Sequence, residues 1–184
     1  MRSIPALFET TVSIIQSLTD DKKAPLHVGE VMACWTYLAF VEEITIYEQI
    51  GLNTTEDNDL HDMLQESLDV AHSHIDQLSK FMQIEGVPLP DAQPPKPNTN
   101  TGAIPAGAKL TDKELANTIS INFVMASNMC AASASQSLRT DVGIMFIQFQ
   151  MDKLTLGLKM KNLMQKRGWL KIPPLYYSPG LPQQ

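Results

Sequence analysis

The residues of this 184-residue chain that could do chemistry are four histidines and a set of carboxylates. In a four-helix bundle such residues could build a carboxylate-bridged di-iron centre. That centre needs a Glu from each of two helices and a Glu-x-x-His from each of the other two. The i, i+3 spacing puts both side chains on one helix face, and the carboxylates then bridge two hard cations. No Glu-x-x-His occurs in the chain, and the nearest match is Asp69-Val70-Ala71-His72, with Glu42 or Glu43 as partners. All four histidines (His27, His61, His72, His74) lie in the first half. The second half offers only Asp112, Glu114, Asp141 and Asp152 as acids, the first three at expected helix ends or turns. Asp152 alone falls mid-helix. This ligand set is too poor for two irons, so no catalytic, cofactor-binding or metal residue is assigned and no cofactor is expected. The weaker alternative is a single transition-metal ion on His72 or His74 with a carboxylate.

Each of these residues also has a structural reading. His74 shares an apolar stripe with Ala71, Ile75 and Leu78, which predicts a neutral core histidine bonded to a facing polar group. His72 leans to the flank and reads as solvated. Glu42 interrupts the stripe of Trp35, Leu38, Ala39 and Ile46, which predicts a buried carboxylate paired with Lys153 or Arg139. The ten methionines read as adaptable core filler. Cys34 and Cys130 are far apart in apolar stretches and read as small buried hydrophobes. No Ser/His/Asp or Cys/His arrangement has supporting context, and no Gly-rich loop follows a strand.

The elements that must position these residues are helical. Residues 4–19 place Ile4, Leu7, Phe8, Val12, Ile15 and Leu18 at helical spacing, and 20–25 are a polar break. A helix is expected over 27–50, with its inner stripe through Val28, Val31, Met32, Trp35, Leu38, Ala39 and Ile46 and Gly51 as its stop. Thr54 or Thr55 is available to cap the next helix, 57–85, which repeats Leu60, Met63, Leu64, Leu68, Ala71 and Ile75 and ends before Gly86. Six prolines between 86 and 110 deny both helix and central strand. At about 3.1 Å per residue, such chain can return along the whole helical hairpin. Thr111 and Glu114 form a capping box that opens a helix over 111–138. Its many Ala and Ser residues predict the most tightly enclosed helix of the set. A last helix spans 141–167, with Met145, Phe149, Leu156, Met160 and Leu163 inward, and Gly168 ends it. The tail 169–184 is Pro-broken and aromatic.

Hairpin, long crossover, hairpin is the ferritin-like arrangement. The expected fold is therefore all-α: one ferritin-like helical domain over 1–184, with a crossover at 86–110, an added N-terminal helix and an extended C-terminal tail.

Composition narrows the function classes. Hydrophobic residues make up 43% and charged residues 18%, which fits a globular core and excludes a disordered chain. Residues 1–91 carry 16 acids and 4 Lys/Arg, whereas 92–184 carry 4 acids and 10 Lys/Arg. A nucleic-acid face would interleave the basic residues with aromatics, and these are not interleaved. Two halves of opposite sign that pack together explain the asymmetry better. No nucleic acid and no membrane are expected as partners. The N-terminus does not read as a signal peptide, and the expected location is cytoplasmic.

Several phrases occur together and in order: LHVGEVMACWTY at 26–37, GLNTT at 51–55, IEGVPLP at 84–90, QSLRTDVGIMF at 136–146, KRGWLKIPP at 166–174 and YYSPG at 176–180. They resemble an uncharacterised family of Bacillus-type proteins, often labelled spore-coat-protein-F-like, of which this chain looks like a single-copy member. The resemblance implies a ferritin-like bundle from a spore-forming Firmicute, a link to sporulation and a spore-associated location. It supplies no site residues. The expected function is a non-enzymatic structural or protein-interaction protein without a complete di-iron site, acting as a homodimer and with spore-coat or other protein partners. The alternatives are a metal-binding protein or oxidoreductase with a degenerate site on the first hairpin, and a small-molecule binder with an apolar pocket among Met and aromatic side chains.

Overall fold

The computed structural model describes residues 24–176. Its helices are α1 (Val28–Thr54), α2 (Asn58–Ile84), α3 (Asp112–Gln136) and α4 (Thr140–Lys166), with a 3₁₀ turn at Thr101–Ala103 between α2 and α3. No strand occurs among the described residues. None of their helices is long and apolar enough to cross a membrane. The helix expected over 4–19 and the last residues of the tail lie outside the described residues.

Bonds between helix ends give the topology. Thr55, after α1, donates its hydroxyl to Asp112 at the start of α3, so α3 runs antiparallel to α1. Arg167, after α4, pairs with Asp57 at the start of α2, so α4 runs antiparallel to α2. The crossover must then span the bundle from end to end, and it is held to α1 on the way. Lys96 N–H donates to the Gln49 side chain, and Asn53 both donates to Pro97 O and accepts from Thr99 N–H.

The helix ends follow their sequence signals with two exceptions. Thr111 and Glu114 form the expected capping box, and Gly86 and Gly168 take φ of 72° and 67° just beyond α2 and α4, where a side chain would be strained. Gly51, however, lies inside α1, which runs on to Thr54, and the cap of α2 is Asp57, accepting from Leu60 N–H, rather than Thr54 or Thr55. Gly51 is there for close approach. A Cβ at this position would sit 3.0 Å from Leu115 and 3.1 Å from Leu64.

Two inner faces also differ from expectation. The buried stripe of α1 runs through Cys34, Tyr37, Leu38, Val41, Thr45 and Glu48, while Val28, Met32 and Trp35 face outward. Apolar residues surround α1 on all sides, so their density cannot mark its inner face. Helix α3 is not the most enclosed element. Ile121, Val124 and Met125 are exposed along it, and Ala132 and Ser135 are open to solvent. With Ile147, Met151, Leu154 and Leu158 of α4, these residues leave an apolar strip on the outer α3/α4 face.

The core is two apolar clusters with a polar layer between them. One cluster gathers Tyr37, Leu38, Val41, Ala71, Leu78, Phe146 and Phe149. The other gathers Leu60, Leu64, Leu115, Ile119, Phe123, Leu156 and Met160. Each helix contributes a polar side chain at the level between them: Thr45 and Glu48, Ser67, Ser127 and Lys153, all buried.

Opposite charge joins the hairpins, as the asymmetry between the halves implies. Lys109 pairs with Glu56, Lys159 with Glu66, Lys166 with Asp59, and Arg167 with Asp57 and Asp59. At the other end Arg139 is clamped between Glu85 and Asp141, both through Nη2 at 2.7 Å, and donates to Ala24 O at 3.1 Å. Beside it the Glu30 carboxylate accepts from the backbone N–H groups of His27, Leu138 and Arg139. Burial alone would raise the Glu30 pKa, but these donors hold it below the usual range.

Candidate functional site at the bundle centre

The buried titratable groups converge where the Tyr37–Phe149 cluster meets the polar layer. Spacing on each helix places them. Tyr37 and Glu48 lie three turns apart on the inner face of α1, and Ser67 and His74 two turns apart on α2. Phe149, Asp152 and Lys153 occupy one turn of α4. Cys130 closes the group from α3.

His74 is held on both ring nitrogens. Its Nε2 lies 3.1 Å from Asp152 Oδ2, and its Nδ1 lies 3.0 Å from the Tyr37 hydroxyl. An ionised carboxylate can only accept, so Nε2 carries the hydrogen and the Tyr37 O–H donates to Nδ1. Phe149 stacks on the imidazole at 4.0 Å between centroids and on Tyr37 at 5.6 Å, and Phe146 packs edge-on against Tyr37. Burial pushes the His74 pKa down to about 4, helped by the Lys153 charge and opposed by Asp152, so the ring is neutral near pH 7. Burial also pushes up the Tyr37 hydroxyl, the Cys130 thiol to about 11 and the Cys34 thiol to about 12. None of these groups is an activated nucleophile.

Below this chain, Ser67 Oγ donates to Glu48 Oε1 at 2.5 Å. The second oxygen, Glu48 Oε2, is buried with no hydrogen-bond partner among the described residues. Burial raises the Glu48 pKa to about 7 against the pull of Ser67 and of the Lys153 charge. Burial lowers that of Lys153, with Glu48 its strongest opposing influence, and its ammonium lies 6.0 Å from the Phe123 ring centroid. Lys153 is thus the buried basic side chain of the middle layer. Asp152 borders the layer, and its side chain is 55% exposed.

The sequence-based candidates are scattered by comparison. His72 and Asp69 are exposed on α2, and Asp69 accepts from Gln65. His61 is exposed near the start of the same helix, and His27 lies at the N-cap of α1. Glu42 is half-buried beside Glu43, whose charge adds to burial in raising its pKa. The expected pairing of Glu42 with Lys153 or Arg139 is therefore wrong: the charge that acts most on Lys153 is that of Glu48, and Arg139 binds Glu85 and Asp141. His74 does bond to facing polar groups, and Asp152 is one of them. Tyr37, Glu48 and Ser67 were not singled out by sequence reasoning. The signal for Glu48 is its place in the series Tyr37, Val41, Thr45, Glu48, spaced four, four and three residues, visible only once the true inner face of α1 is known. Among the described residues, no three His, Cys, Asp or Glu side chains come together as a metal site.

Two helical hairpins, a full-length crossover and a polar middle layer define a ferritin-like four-helix bundle. The chain belongs to the family described as protein of unknown function DUF3231, whose sequence profile matches residues 15–180. It is 34% identical over 152 residues to the uncharacterised Bacillus subtilis protein YvdQ, covering 83% of this chain and 89% of that one. A crystal structure from Bacillus halodurans C-125, provisionally named a spore coat protein, is 36% identical with a TM-score of 0.82, covering 84% of this chain and 98% of that chain. A second solved structure shows the fold alone, at 11% identity and a TM-score of 0.59. It is a two-domain Anabaena variabilis protein with DJ-1/ThiJ/PfpI-like and ferritin-like domains, and the match covers 94% of this chain and 52% of that one.

Proposed function

We propose that this protein is a non-enzymatic structural bundle that works through contacts with other proteins and associates with the spore. The observation that carries the reading is the engagement of the central histidine by the protein's own side chains. Both nitrogens of His74 are engaged within the protein, and Lys153 is buried at the level where bundles build their sites. The thiols and the tyrosine nearby are held protonated. The spore setting is supported by the name of the Bacillus halodurans relative, which describes that protein.

Self-association belongs to the same reading. Ile147, Met151, Leu154 and Leu158 are spaced four, three and four residues apart on the exposed strip, the seam along which helices pair. A second copy covers this strip in a twofold dimer, the commonest symmetry.

Two measurements test the proposal. In a sporulating bacillus that makes the tagged chain, the protein is expected in the coat extract of purified spores. Its confinement to the cytosol of growing cells would overturn the spore reading. Metal analysis of the untagged protein should find no stoichiometric transition metal. Stoichiometric Fe or Mn accompanied by oxidase activity would replace this proposal with the oxidoreductase alternative.

A further inference from the structure

A groove between α3 and α4 reaches the polar middle layer. It holds about 330 Å³ between Phe123, Val124 and Ser127 of α3 and Lys153, Leu154 and Leu158 of α4. Small residues keep it open, since Ser120, Ser127 and Gly157 line it where larger side chains would fill it.

Two polar side chains at its floor have no partner. Lys153 is 2% exposed and Ser127 6%, and neither makes a hydrogen bond or ion pair among the described residues. The Lys153 ammonium lies 6.0 Å from the centroid of the Phe123 ring, itself a wall of the groove. Burial drives the Lys153 pKa down, and nearby acidic groups, Glu48 first, offset this only in part. A buried ammonium without a counter-ion is costly, and an apolar side chain would avoid that cost. Its retention beside an open groove points to an anion that meets it there.

The rest of the lining defines the anion. It includes a second cation, Lys161, at the exposed rim and no acid. Phe123, Val124, Leu154, Leu158 and Leu170 offer an apolar wall. The volume is about twice the ~150 Å³ cavity that takes up benzene, which is room for about twelve non-hydrogen atoms. One carboxylate on a chain of about ten carbons has this size and this polarity. Leu154 and Leu158 also belong to the strip assigned above to a second copy. An apolar helix laid over them would roof the groove, but it brings no charge for the ammonium.

We propose that this groove binds an aliphatic monocarboxylate, its head group on Lys153 and the Ser127 hydroxyl and its chain along Phe123, Leu154 and Leu158.

Decanoate is the probe, with decanol and decyltrimethylammonium as neutral and cationic controls of the same chain length. Calorimetric titration of the full-length protein should give a decanoate Kd on the order of 100 μM, with both controls at least about ten-fold weaker. Decanoate should shift the backbone amide resonances of Ser127, Lys153 and Gly157. Lys153→Met keeps the bulk without the charge, and it should weaken decanoate about ten-fold while decanol is unchanged. Leu158→Glu, at an exposed position that the fold does not need, should weaken decanoate at least about fivefold by like charge, and Leu158→Gln should weaken it less. Decanol that binds the wild type as tightly as decanoate would overturn the proposal. So would wild-type decanoate affinity in both Lys153→Met and Leu158→Glu, or shifts confined to α1. Decanoate binding that vanishes as the protein passes from monomer to dimer would overturn it as well, and would assign the groove to a second copy.

Discussion

The Tyr37 hydroxyl and His74 Nδ1 lie 3.0 Å apart across the α1–α2 interface, and Asp152 on the far side of the ring fixes the direction of their bond. Tyr37→Phe keeps the stack on Phe149 but leaves Nδ1 buried without a donor. The expected loss is about 1–3 kcal/mol in urea unfolding. Tyr37→Phe/His74→Phe should lose less than the sum of the single variants, because both ends of the bond are removed together. Strict additivity would mean that the bond contributes nothing.

Asp152→Asn preserves an oxygen that can accept from Nε2–H, and the side chain is more than half exposed. Stability should change by less than about 1 kcal/mol, and the metal content of the purified protein should not change. Loss of a bound ion in this variant would show Asp152 to be a ligand.

His74 and Glu48 give opposite pH dependences. The His74 pKa falls from 6.5 to about 4 on folding, so its contribution to stability is complete above about pH 6.5 and is lost as pH falls toward 4. The Glu48 pKa rises from 4.5 to about 7, so the native state binds the extra proton between these values and stability falls as pH rises through them. Each is worth about 3 kcal/mol at full effect, and between about pH 4.5 and 6.5 the two slopes cancel. Glu48→Gln should unmask the His74 slope, with a midpoint that drops on acidification across this window. A variant as flat as the wild type would contradict the assignment.

Arg139 holds three elements at one end of the bundle. Arg139→Ala removes a buried cation that Glu85 and Asp141 share, as well as the bond to Ala24 O, and should cost about 3–5 kcal/mol. Arg139→Lys keeps the charge without the planar fork and should recover only part of this loss. Thermal unfolding of the two variants ranks them, and equal midpoints would contradict the role of the fork.

The helices, the crossover and the pairing of acidic with basic halves were legible because each rests on local signals. Gly86, Gly168, the Thr111–Glu114 box and the proline density mark their own positions. The face that α1 turns inward was not legible. Trp35 and Met32 look like core by type, and Glu48 looks like surface, so composition points the wrong way at all three. His74 could be read because α2 has a polar outer face that leaves one apolar stripe. Its partners could not, since Tyr37 and Asp152 reach it from different helices and no spacing within one helix connects them.

The Pro-rich crossover also sets how the halves find each other. Its backbone is exposed around Gly107, so one cut there would leave two hairpins of opposite net charge. Their recombination would become a bimolecular reaction, fast at low ionic strength and slowed by salt. In the intact chain the tether replaces that search with an effective concentration in the millimolar range. Its ties to Gln49 and Asn53 shorten the free length that must close. The acidic hairpin therefore serves as an electrostatic template for the basic one, and salt should act on the rate of their docking more than on the finished bundle.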